Sequence, residues 1–238
     1  MTTDLSARDA AAIPLWDSAY DASVLDGEAN LWGDPPVPYA ATAAALFAAN
    51  QARVILDLPC GDGRNLAPLA EGAPIVLGGD TSPNAMNIAA RVARRDGIRD
   101  RTVFLQVDAF STRFLDGSID GIFSWDLLGH LTNPADALRE FYRVLSPGGT
   151  IVANMWTMND CQVSDPNIRE IAPKKYVDHF DFYCEFYDHD DLDALLNSIN
   201  LTAMSVEVAR WWEPPHATYR NYPHEHESLI FTITKPAE

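Results

Sequence analysis

Short apolar runs rich in Val, Ile, Leu and Phe alternate with stretches of helical periodicity through the middle of the chain. "RVILDL" predicts a first strand and "GRNLAPLAEG" the helix after it; "PIVLGGD" predicts a second strand. "SPNAMNIAARVARRDG" begins as a helix, with Ser82 as N-cap and Pro83 at the first helical position. "RTVFLQVDA" and "IDGIFSWDLLG" predict strands three and four. "NPADALREFYRVLSPGG" reads as a helix capped by Asn133 and ended by its glycines, and "TIVANMW" as strand five. This βαβα rhythm predicts a doubly wound, mostly parallel sheet with ligands at the carboxyl ends of its strands.

The tail has another rhythm. A helix, "HDDLDALLNSIN", precedes two adjacent strands, "LTAMSVEVARWW" and "SLIFTITK", which predict an antiparallel hairpin closing the sheet edge. Residues 157–187 are irregular and aromatic, and read as an ordered cover. Residues 1–45, with aromatics and turn formers before and around an Ala-rich helix at Tyr39–Ala49, read as an arm or lid. The whole, 1–238, reads as one domain.

Charge narrows the partners. The 34 acidic residues outnumber 17 Lys plus Arg, for a formal charge of -17. That field disfavours nucleic acid and anionic membranes and favours a neutral or cationic small molecule. Cys60, Cys161 and Cys184 form no CxxC pair or disulfide framework, so a reducing cytoplasm is expected. The N-terminal stretch lacks the features of a signal peptide, and no run is long and apolar enough for a membrane helix. Oligomeric state is not legible.

The chemistry gathers at the strand tips. After Asp57 the chain reads Gly61-Asp62-Gly63-Arg64-Asn65-Leu66, without the third glycine of a nicotinamide-binding turn. A carboxylate at Asp57 suits a positively charged ligand, and Gly61 and Gly63 let backbone approach it closely. Asp80 can accept both hydroxyls of a ribose, and Asp108 an amine hydrogen such as that of adenine. Three acids at three successive tips describe a nucleoside without phosphates, carrying a cationic or zwitterionic tail.

"LDLPCGDGR", "GGD", "QVDA", "IDGIFSWDLLGHL" and "LREFYRVLSPGGTIVANMW", in that order, resemble class I S-adenosylmethionine-dependent methyltransferases of the small-molecule branch, over Leu31–Trp156 plus the terminal hairpin. The resemblance implies a Rossmann-like, seven-stranded α/β sheet with an antiparallel C-terminal strand, and S-adenosyl-L-methionine as cofactor. It implies that Asp57, Gly61 and Gly63 hold the methionine moiety, Asp80 the ribose, and Asp108 with Ala109 the adenine. Cys60, Thr81, Ser82, Phe110 and Trp125 join this cofactor set. Pro59 stands where many members have glycine.

Around that cleft, Tyr20 and Trp32 are candidates to close over the sulfonium, since an aromatic face stabilises a cation. Tyr176, Phe180, Phe182, Tyr183 and Tyr187 would form the opposite wall. His130 is the candidate general base, with Tyr176 a second catalytic candidate; Asp126 and Arg220 are candidates for the acceptor. His216, His224 and His226 read as an exposed polar hairpin; a metal there, or a magnesium site from Asp126, Asn159 and Asp160, is considered but not assigned. The expected reaction is N-, O- or C-methylation of a small molecule, of the kind met in secondary metabolism. Two alternatives stand: a lyase or cyclase that releases methylthioadenosine by intramolecular attack, and a non-catalytic nucleoside-binding regulator.

Overall fold

The computed structural model describes residues 5–24, 31–32, 35–216 and 220–237. Its central sheet is built from β1 (Val54–Asp57), β2 (Ile75–Asp80), β3 (Thr102–Gln106), β4 (Ile119–Ser124), β5 (Leu145–Trp156), β9 (Ser205–Glu213) and β10 (His224–Thr234). The order is β3-β2-β1-β4-β5-β10-β9. The first five strands pair in parallel, β10 runs antiparallel to β5, and β9 completes the hairpin. This is the Rossmann-like methyltransferase fold with its antiparallel closing strand, as the alternation of elements predicts.

Helices α1 (Leu5–Val24), α2 (Pro38–Ala49), α3 (Leu66–Leu69), α4 (Pro83–Arg95), α5 (Pro134–Val144) and α6 (His189–Ser198) cover the two faces. One core lies under α5 and α6, around Phe141, Leu192 and Phe231; the other lies under α2, α3 and α4, around Phe47, Leu66 and Ala89. Fully burying a side chain such as Phe47 or Phe141 stabilises the fold by about 1.5–3 kcal/mol. Ser82 caps α4, its hydroxyl accepting from the Ala85 amide at 3.0 Å.

Residues 1–45 contain a 20-residue helix, α1, that the sequence did not predict, packed on α4 through Tyr20, Ala85, Ile88 and Val92; Pro14 lies within it and masks its helical pattern. Three expectations are corrected. The helix after β1 is only four residues, because the chain up to Asn65 turns through positive φ at Gly61 and Gly63. Asn133 makes no side-chain cap on α5 and donates to Asp136 instead. The glycines after α5 do not end it: α5 stops at Val144, and "SPGG" lies within β5, where the register against β4 shifts. The cover is ordered, with its own antiparallel sheet of β6 (Arg169–Ala172), β7 (Lys175–Val177) and β8 (Tyr183–Glu185).

Candidate active site

The carboxyl ends of β1, β2, β4 and β5 open onto one cavity of about 1190 Å³. Its first part is built on the glycine loop. The Cys60 amide donates to the Gly79 carbonyl at 2.7 Å, tying the loop to β2. Asp80 fixes the loop from its other side, accepting from the amides of Gly61 at 3.0 Å and Ser82 at 2.9 Å. Burial drives the Asp80 carboxyl up to about 6, against the lowering effect of those backbone donors. Each oxygen keeps a further lone pair, so a diol can still be accepted.

The arm closes over this loop. Asp62, fully buried, accepts from the Trp32 amide at 2.9 Å, and the Trp32 indole donates to the Tyr20 hydroxyl at 2.9 Å. Tyr20 sits so close to Gly61 that a Cβ there would come within 2.7 Å of its hydroxyl. Gly61 also holds φ at +50°, so alanine would carry backbone strain as well as the clash. Gly61→Ala is expected to destabilise the fold by roughly 1–2 kcal/mol of left-handed strain and to displace the Tyr20 hydroxyl. Chemical denaturation checks it; an unchanged midpoint would mean that the loop relaxes without cost.

Asp108, exposed at the end of the third strand's loop, accepts from the Phe110 amide at 2.9 Å and reaches the cavity beside Ala109 and Phe110. Thr81 and Cys60 complete this side; burial and the nearby Asp80 push the Cys60 thiol well up, which leaves it inert as a nucleophile. Three of the expected cofactor residues stand off the cavity wall. Gly63 packs on Ala89 of α4, with 2.9 Å left for a Cβ. Ser82 is spent as the α4 cap and donates its hydroxyl to Asp17 at 2.6 Å. Asp57 is fully buried beneath the loop, and both its carboxylate oxygens lack a hydrogen-bond partner among the described residues. Burial, followed by the charge of Asp80, pushes its carboxyl well up.

The far part of the cavity is set by β4 and β5. Asp126 adopts φ +55°, a left-handed conformation uncommon for an ordinary residue. Asn154 holds it there, accepting from its amide at 2.7 Å and donating to its carboxylate at 2.8 Å; the Trp156 indole donates to the same carboxylate at 3.0 Å. Arg64 spans the floor from Asp126 at 3.8 Å to Glu213 at 3.1 Å. His130 lies in the turn Leu128–His130, ringed edge-on by Trp16 and Trp156 at 5.0 and 4.7 Å between centroids. Its Nδ1 is 2.7 Å from the Tyr183 carbonyl, which can only accept, so Nδ1 bears the proton and Nε2 the lone pair. Burial lowers its pKa, against the raising effect of that bond.

The aromatic wall differs from expectation. Tyr176 packs against Phe186 at 5.4 Å, away from the cavity. Tyr183 donates to Glu185, Tyr187 lies in the main core, and Phe180 is exposed. Phe182 serves indirectly, stacked at 3.8 Å behind Trp16. Trp125 does reach the cavity, sandwiched between Phe123 and Tyr39. Asn159 and Asp160 turn to Glu227 and His226, so no magnesium site forms with Asp126. His216, His224, His226 and Arg220 are buried and line the cavity, which overturns the exposed-hairpin reading.

Trp16, Arg64, Asn154, Trp156 and Glu213 are site residues that the sequence reading passed over. Asn154 and Trp156 had a signal: they are two apart at the tip of a predicted strand, hence on one face. Trp16 had none without α1.

The sheet order with its antiparallel closing strand is the fold of class I S-adenosylmethionine-dependent methyltransferases, with the cleft at its strand tips. Residues 56–153 match the family described as "Methyltransferase domain". The chain is 31% identical over 174 residues to a demethylmenaquinone methyltransferase of Clavibacter sepedonicus, covering 71% of this chain and 64% of that one. It spans about half the length of curated relatives such as the methyltransferase GfsG of Streptomyces halstedii, to which it is 28% identical. Its fold is that of a Burkholderia thailandensis 1,6-didemethyltoxoflavin-N1-methyltransferase, with TM-score 0.62, 21% identity, and coverage of 94% of this chain and 88% of that one.

The residues present fit the cofactor of that family. The backbone cradle at Gly61 leaves no room for a Cβ, Asp80 has acceptor capacity for a diol, and Asp108 faces the same cleft. Because Asp80 titrates near 6, cofactor affinity is expected to hold above that pH and fall as the pH drops through it. The loss approaches tenfold per unit below the pKa, the limit for a single required ionisation. Titrations at pH 5 to 8 check this; an Asp80→Asn variant should show weak binding without the acid slope.

Proposed function

We propose that the protein transfers a methyl group from S-adenosylmethionine to a small polar acceptor. The observation carrying this reading is the continuity of one cavity from the glycine loop and Asp80 to the buried polar side chains around Asp126, His130 and Glu213. A cofactor cleft with a second, water-shielded compartment is what bimolecular transfer requires. The cofactor supplies a methyl on an already activated sulfonium.

The chain's own groups do the rest. Tyr20 and Trp32, tied to the glycine loop through Asp62, exclude water from the cofactor side. Asp126, locked by Asn154 and Trp156, orients the acceptor, with Arg64 as the neighbouring cation. The neutral His130 offers Nε2 to take a proton from an acceptor amine or hydroxyl. The free thiols Cys60, Cys161 and Cys184 suit a reducing, cytoplasmic setting. Among the described residues no helix is long and apolar enough to cross a membrane.

A second reading has an observation of its own. Trp16, Trp156 and His130 also compose an aromatic enclosure with a base inside it. Such an enclosure suits attack of the cofactor's own amine on its carbon chain, with release of methylthioadenosine. A fold neighbour at TM-score 0.59 and 18% identity is the [4+2]-cyclase SpnF, so this fold alone does not decide the reaction. The test is incubation with methyl-labelled S-adenosylmethionine and a panel of small amines, phenols and hydroxy acids. Label appearing in an acceptor supports methyl transfer. Label recovered only in methylthioadenosine supports the second reading.

A further inference from the structure

The hairpin of β9 and β10 carries a group of side chains that the reaction above leaves unused. Glu213, His216 and His224 are all more than nine-tenths buried, and their ligand atoms lie within 4.8 Å of one another. Their nitrogens are sorted by their neighbours. The Nδ1 of His224 lies 2.9 Å from the Tyr222 carbonyl, so it bears the proton and Nε2 keeps the lone pair. The Nε2 of His216 lies 3.0 Å from Glu213, so an ion seated between that nitrogen and the carboxylate takes the place of the shared proton. The Nε2 of His224 is buried without a hydrogen-bond partner among the described residues. An orphaned imidazole lone pair beside a carboxylate and a second imidazole calls for an electron-poor occupant.

We propose that Glu213, His216 and His224 bind one divalent first-row transition ion, with Zn²⁺ as its type, on the wall of the cavity. Two imidazoles and a carboxylate are donors that such ions take, and three protein ligands leave a position open. The Nδ1–H of His224 is fixed by the Tyr222 carbonyl, which is how metal-binding histidines are oriented. Glu213 is steadied by Arg64 and by the Trp211 indole, donating at 3.1 and 3.0 Å, and its Oε1, with a single donor, keeps a free lone pair. With bonds of about 2.0–2.2 Å, tetrahedral donors sit about 3.4 Å apart, so small side-chain rotations close the set.

The neighbouring trio Cys161, His224 and His226 is the weaker set. Cys161 already accepts from Arg220 at 3.1 Å, and the Nδ1 of His226 is given to Asp160 at 2.9 Å. All three proposed ligands line the cavity, so the open position faces it and would take an oxygen of the acceptor. That last clause rests on the methyl-transfer reading; metal binding does not.

The test uses the full chain, stripped with chelator, reloaded with Zn²⁺, passed through gel filtration and assayed by atomic emission. One equivalent should remain bound. His224→Ala should lower affinity at least about a hundredfold, more than the loss of an outer-shell partner, while Cys161→Ser should still hold one equivalent. Should His224→Ala fail to fold by circular dichroism, His216→Gln is titrated with Co²⁺ and read by its visible absorption, which should be lost relative to the parent protein. A parent protein that retains no Zn²⁺ overturns the proposal. So does equal retention by the histidine variants, or loss of metal from Cys161→Ser alone.

Discussion

Replacing His130 with asparagine is expected to slow methyl transfer about 10²–10⁴-fold, the range for removing a positioned general base, with little change in cofactor affinity. The imidazole is fixed from behind by its Nδ1–H bond to the Tyr183 carbonyl and flanked by Trp16 and Trp156, so its remaining nitrogen is presented in one orientation. Burial lowers its pKa below the usual histidine value, so the ring is neutral at neutral pH and already competent to accept a proton. The sign follows: activity should be flat through neutrality and fall on the acid side, below that lowered pKa. Steady-state kinetics across pH check this. An unchanged turnover rate with an unchanged acid limb would reduce His130 to a packing residue. Tyr176→Phe is the contrast and should leave turnover unaffected, because its ring packs on Phe186 away from the cavity.

Glu213→Ala should destabilise the fold by about 3–5 kcal/mol, the cost of stranding one member of a buried ion pair. For a domain of this size that is a fall in Tm of about 10 °C. The partner left behind is Arg64, with 9% of its side chain exposed and the more distant Asp126 and Asp62 to answer its charge. The indole of Trp211 and the ring of His216 would lose an acceptor in the same step. Burial opposes ionisation of Glu213, but Arg64, His216, His226 and Trp211 together hold its carboxyl well below the usual range. A depressed acid stabilises the folded state above its unfolded pKa, and that contribution is lost as the pH falls through the folded value. Thermal melts in chelator, which separates this effect from metal loss, provide the measurement. A Tm within about 2 °C of the parent, under 1 kcal/mol at this size, would show that water or a shifted neighbour replaces the carboxylate.

The parts of the site that the sequence revealed are those fixed by local rules. Asp80 ends β2 and Asp108 follows β3, and ligand-facing groups collect at strand ends in a doubly wound sheet. The N-cap at Ser82 followed from its neighbour Pro83 at the first helical position, although the same residue could not then be a free cofactor ligand. The antiparallel last strand was legible because two adjacent apolar runs had no helix between them. What was not legible depends on long-range packing. Pro14 hid α1, and with it Trp16, which reaches the cavity only because α1 lies across α4. The aromatic residues of the cover were counted as wall, but β6, β7 and β8 turn Tyr176 toward Phe186. His224 and His226 share a face of β10, as their spacing requires; that this face is buried rather than exposed depends on Trp211 and the cover, which no local pattern records.

The central claim is that the cavity brings a second molecule to the cofactor. The most direct measurement is mass spectrometry of the small molecules after the pure protein is incubated with S-adenosylmethionine alone. Intact S-adenosylmethionine, with methylthioadenosine no higher than in a protein-free control, is the predicted result and leaves the methyl group waiting for an acceptor. Methylthioadenosine accumulating above that control, in proportion to protein, would contradict the claim and make the cofactor itself the substrate.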